Sequence, residues 1–182
     1  VPQNTQAQQP CTFNINISGV SGQVLDDAKR ELGRIFQSGG MFLNVVFNQW
    51  DRANGGSMNL NVVQVFRGEA SGAIVQQGGG SPSNTGILGV TPTTGNNSYV
   101  NQAHISTITR GLNGPGASIG TMIGRVGAHE AIQHRLLGIG QEGLLNDISS
   151  SGATARELRA VSTTRFNIHP LTAGILSGRC RP

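Results

Sequence analysis

Two hydrophobic periods meet near the start of the chain and constrain its fold more than any other feature. Residues 12–18 (Thr-Phe-Asn-Ile-Asn-Ile-Ser) alternate apolar and polar, the period of a half-buried strand. From Gly22 to Gln37 the period lengthens. Val24, Leu25, Ala28, Leu32, Ile35 and Phe36 recur at helical spacing, and Gly39-Gly40 stops the run. A strand with one apolar face and a helix with one apolar stripe bury those surfaces together, so the helix is expected to lie on a sheet.

The rest of the chain extends that layout. Met41–Phe47 and Met58–Phe66 read as further strands, β-branched and dotted with Asn, separated by a polar turn around Asp51 to Gly56. Residues 68–97 are rich in Gly, Ser, Thr and Asn, with short apolar runs at 73–75 and 87–90, and read as long loops around an edge strand. Tyr99–Ile108 is expected to form another strand, and a second long helix to run from Ala117 to Leu137. On that helix Ile119, Met122, Ile123 and Val126 should face the sheet. A short helix follows at Ala153 to Thr163. The expected fold class is therefore α+β: a single domain over 11–182, a mixed twisted sheet with two long helices and a short C-terminal helix. Residues 1–10 are expected to be a flexible N-terminal segment.

Composition narrows the function classes. Charged residues are 12% of the 182, against about a quarter in typical domains, and 27 are Gly. The surface is thus polar but largely uncharged. The 13 basic residues exceed the nine acidic ones, yet the arginines are scattered and Lys29 is the one lysine. With no basic run and few aromatics, a nucleic-acid partner is not expected. No apolar stretch approaches the roughly 20 residues of a membrane span. The opening Val-Pro-Gln-Asn-Thr-Gln-Ala-Gln-Gln-Pro resembles the mature end left by export cleavage. Cys11 and Cys180 are the two cysteines, near opposite ends, and a bridge between them would contribute about 4–5 kcal/mol in the chain-entropy model. A secreted or periplasmic monomer is the expectation.

The chemistry is carried by residues 127–138, Gly-Ala-His-Glu-Ala-Ile-Gln-His-Arg-Leu-Leu-Gly. His129, Glu130 and His134 resemble the H-E-x-x-H zinc-hydrolase signature stretched by one residue. At i+4 two side chains lie about 40° apart on a helix, whereas at i+5 they lie about 140° apart. A one-turn π-bulge between His129 and His134 would bring both rings to one side, and such bulges gather at functional sites. In that arrangement the two imidazoles hold Zn2+, and Glu130 takes a proton from a metal-activated water that attacks a peptide carbonyl. The plainer alternative is a helix end whose histidines cap or face solvent.

The run resembles the active-site helix of the metzincin zinc peptidases, particularly their small matrixin-like bacterial members. Ala128-His129-Glu130 matches their Ala-His-Glu, His134 matches after one inserted residue, and Leu137-Gly138 matches the turn that ends the helix. The opening strand and helix, and strands leading to an edge strand, are similar in outline. The six-residue H-E-x-x-x-H spacing also resembles that of dipeptidyl peptidase III, although only within the motif. The resemblance implies a zinc-dependent endopeptidase that acts on protein or peptide substrates laid along the edge strand near 87–90. Two departures stand out. The third histidine ligand is absent, leaving Glu142 as first candidate, with Gln141, Asp147 and Glu157 behind it; Leu145 stands nearest the usual methionine. His104 and His169 lie outside the motif and read as ordinary surface or core histidines, with His104 on the edge strand also able to approach the metal. A catalytically silent metzincin-like domain kept for binding or scaffolding is the alternative.

Overall fold

The periods read from the sequence translate into a sheet with helices on both of its faces. The computed structural model describes residues 11–40, 43–47, 57–76, 87–135, 154–162 and 165–179. Five strands lie in the order β2-β1-β3-β5-β4: β1 Cys11–Ser18, β2 Leu43–Phe47, β3 Ser57–Val63, β4 Gly89–Val90 and β5 Asn97–Asn101. The first four in that order run parallel, and β4 closes one edge antiparallel to β5. The α+β class with a mixed sheet is therefore as expected, and the short apolar run at 87–90 does supply an edge strand.

Strand alternation decides what each face carries. Phe13, Ile15 and Ile17 of β1, Met58, Leu60 and Val62 of β3, and Val100 of β5 point to one face and are buried in the main core. Two long helices cover that face: α1, Gly22–Ser38, and α4, Ile119–Arg135. Met122, Ile123 and Val126 of α4 are buried there, and Ile119 is partly buried against them. The two helices approach closely because α4 carries glycine where they cross. A Cβ at Gly120 would stand 2.4 Å from the Val24 carbonyl oxygen, and one at Gly124 2.7 Å from that of Ala28. Glycine in a helix interior costs about 1 kcal/mol relative to alanine. Here the close packing of two backbones offsets it. Ser118 starts α4 by accepting from the Thr121 N–H (3.1 Å) and ties it to α1 by donating to Asp27 (2.7 Å).

Arg125 joins four segments from a buried position. It donates to Glu31 of α1 (3.0 Å) and to the carbonyls of Leu158 (2.6 Å) and Ala160 (2.7 Å), and its guanidinium lies 5.3 Å from the Phe166 ring centre. Leu158 belongs to α5, Ala155–Arg159. Burial pushes the Glu31 carboxyl up, but hydrogen bonds and charge from Arg34 and Arg125 outweigh it and hold the group below its ordinary value.

Three sequence expectations are corrected. Residues 69–76 form a helix, α2 (Glu69–Gln76), rather than loop. Ala70, Ala73 and Ile74 pack with Phe66 and Val90 in a second apolar cluster, with Tyr99 partly buried against it. The strand expected over 99–108 ends at Asn101, where the Asn101 side chain accepts from the His104 N–H (2.8 Å) and caps a helix, α3, Gln102–Thr109. A sixth helix, α6, Pro170–Arg179, lies beyond the last helix expected from the sequence. Proline suits its first position, where an N–H would have no helical partner. Among the described residues no helix is long and apolar enough to cross a membrane. The motif helix starts at Ile119 rather than Ala117, while its expected end at Leu137, the Cys11–Cys180 bridge and the 1–10 segment lie outside the described residues.

Candidate functional site

Helix α4 delivers the motif under the antiparallel edge of the sheet. The expected bulge is absent: α4 is α-helical without interruption from Ile119 to Arg135. The apolar side of the helix explains this correction. Ala128, Ala131 and Ile132 are all buried in the core, at the i, i+3, i+4 spacing of a regular turn, and an extra residue within the turn would rotate one of them out. In a regular helix His129 and His134 diverge by about 140°. The residue one turn from His129 is Gln133, whose amide donates to His129 Nε2 at 2.7 Å. That bond engages a ring nitrogen that a metal would need.

Glu130 turns the other way, into the protein. It is 3% exposed, beneath β4. Thr91, just past β4, donates its hydroxyl to Glu130 Oε2 at 2.6 Å and lies 2.9 Å from the Ser98 hydroxyl of β5. The same Thr91 oxygen is 3.1 Å from the Glu130 carbonyl oxygen, so the helix backbone is joined to the strand as well. Gly89 permits this approach, because a Cβ there would stand 2.5 Å from Glu130 Oε1. Burial drives the Glu130 carboxyl above its ordinary value, only partly opposed by the charge of His129 and the bond from Thr91.

The candidate third ligands divide. Glu142, Gln141 and Asp147, with Leu145, lie outside the described residues. Glu157 is committed elsewhere: its carboxylate accepts from the Thr154 N–H (2.7 Å) while Thr154 Oγ1 accepts from the Glu157 N–H (3.2 Å), a capping box that starts α5. Arg165 approaches the same carboxylate at 3.7 Å. His169 is exposed and accepts from the Leu171 N–H at the start of α6 (3.2 Å). His104 stands on α3, not on the edge strand. Among the described residues no three His, Cys, Asp or Glu side chains are grouped to hold a metal. In the described part of the motif, Gln133 rather than a second histidine stands one helical turn from His129.

Sequence reasoning placed His129 and Glu130 side by side but missed Thr91, Ser98 and Gly89, which surround the carboxyl. No local signal marks them, since all three are brought in by strand pairing. Gln133 was missed too, although its i+4 position from His129 is the signal that could have found it. Comparison with known proteins finds no family model that matches the chain and no curated protein that matches it.

Proposed function

We propose that this chain is a catalytically silent, metzincin-like domain, exported and retained for binding or scaffolding. The observation that carries the reading is the burial of Glu130. Its carboxyl is 3% exposed and bonded to Thr91, so the group that would activate water serves instead to pin α4 to β4. The unbroken helix supports the same view, because it leaves Gln133 rather than a second histidine beside His129. Metzincin-like ancestry is supported by the Ala128-His129-Glu130 and Leu137-Gly138 matches and by the antiparallel edge strand above the motif. The scarcity of lysine and the low share of charged residues support export.

A second reading, a zinc-dependent endopeptidase acting on protein or peptide substrates, is favoured by one observation. Glu130 lies directly under an edge strand, where an extended peptide would pair. Incubating the full chain with zinc and a broad peptide library separates the two. The silent reading predicts no cleavage above that of the Glu130→Gln variant. Cleavage by the wild type that this substitution abolishes would overturn it.

A further inference from the structure

The face of the sheet turned away from α4 carries a row of amides that no packing requirement explains. Asn16, Asn59 and Asn97 stand in register across three strands, β1, β3 and β5. They form a relay with one direction: Asn16 Nδ2 donates to Asn59 Oδ1 (3.3 Å), Asn59 Nδ2 to Asn97 Oδ1 (3.3 Å), and Asn97 Nδ2 to Glu69 Oε2 (3.2 Å). A second row runs beside it. Ser18 donates to Asn61 Oδ1 (3.1 Å), and Tyr99 closes the row by donating its hydroxyl to Glu69 Oε2 (2.6 Å). Asn16 and Ser18 are exposed, while Asn59, Asn61 and Asn97 are half-buried. Helix α2 forms a wall at the β4–β5 side through its cluster with Val90 and Tyr99.

Asparagine is a poor strand former, and threonine at these positions would suit a half-exposed sheet better. Two residues before Asn16 on the same face, Asn14 is buried with an amide nitrogen that bonds to nothing among the described residues. Stability therefore does not account for the asparagines.

We infer that this face binds a neutral, extended β-linked glycan. Charge excludes the other large ligand classes. The one charge in the network is Glu69, so nucleic acid and anionic surfaces find no cation in it. Their one aromatic side chain, Tyr99, is half-buried with its hydroxyl bonded to Glu69, so the rows offer no cluster of anchors of the kind that protein interfaces use. What the first row offers is amides held in one orientation, Asn16, Asn59 and Asn97 each using one N–H within the relay and retaining a second for a ligand, while Asn61 of the second row bonds to the Ser98 carbonyl (3.2 Å). Sugar hydroxyls, which both donate and accept, complement that pattern. Adjacent strands repeat at about 4.8 Å, so successive amides in a row are spaced much as the rings of an extended β-linked chain are. The inference stands apart from the reading of α4, because the two sites occupy opposite faces of the sheet.

Affinity electrophoresis of the full chain through gels containing barley mixed-linkage β-glucan or hydroxyethyl cellulose tests it. Wild-type protein should be retarded, and Asn16→Thr/Asn59→Thr should bind at least tenfold more weakly while melting at the same or a higher temperature. Asn59→Asp, which keeps the shape but removes the donor, gives the same decision should the double variant not fold. No retardation in either gel overturns the inference, as does equal retardation of the variants. Retention on heparin without retention by either glucan also overturns it, and would indicate a polyanion partner.

Discussion

The two halves of α4 obey different rules although they form one continuous helix. From Ile119 to Ala128 every inward position serves packing: glycines admit the backbone of α1, and Arg125 satisfies Glu31 and two carbonyls. From His129 onward the polar residues resemble catalytic ones, yet Glu130 and Gln133 spend their hydrogen bonds inside the fold. The difference teaches that a catalytic-looking string is defined by what its residues face, not by their order. The rigid first half fixes the rotation of the helix and so determines where His129, Glu130 and His134 point.

Breaking the first half should cost most. Arg125→Ala removes one of the two cations paired with buried Glu31, Arg34 being the other, and leaves two carbonyls without their donor, and is expected to destabilise the fold by about 2–4 kcal/mol in urea unfolding. It should also flatten the acid limb of stability. Glu31 is held below its ordinary 4.5 when folded, so its stabilising contribution is present above that value and is lost as pH falls through the folded value. Wild-type stability should therefore drop more steeply than that of Arg125→Ala below about pH 4.5.

Gly124→Val is the next largest effect. Its Cβ would meet the Ala28 carbonyl at 2.7 Å, a backbone atom that cannot swing aside, so α1 and α4 must separate. A loss of about 1–3 kcal/mol is expected, read from the shift in denaturant midpoint.

Substitutions in the second half should cost far less, which sharpens the contrast. Glu130→Gln keeps the shape, still accepts from Thr91 and no longer requires a buried carboxyl. Its stability at neutral pH should stay within about 1 kcal/mol of wild type or exceed it. Glu130→Ala should be worse than Glu130→Gln in the same thermal melt, because it leaves Thr91 and a void beneath β4.

How much of this was legible in the sequence depends on the range of the forces involved. The elements set by local periodicity, α1 and the strands expected at 12–18 and 58–66, were readable because alternation or helical spacing is clear there, although the second strand ends at Val63. Helix α2 was hidden by the Gly and Ser around it, and its stability comes from a cluster that includes Val90, distant in sequence. At the site, the neighbours His129 and Glu130 were legible as a pair. The bulge was inferred from the chemistry that two histidines would need, whereas the helix follows the burial of Ala128, Ala131 and Ile132. Asn101 illustrates the reverse case, in which a capping residue visible in the sequence was read as part of a strand.

The most direct test of the silent reading is the zinc stoichiometry of the full chain, purified without chelator and dialysed against micromolar zinc, with the metal then measured by mass spectrometry. The silent reading predicts well under one zinc per chain, with no difference among wild type, His129→Ala and His134→Ala. One tightly held zinc per chain, lost in both histidine variants, would contradict it and restore the peptidase reading.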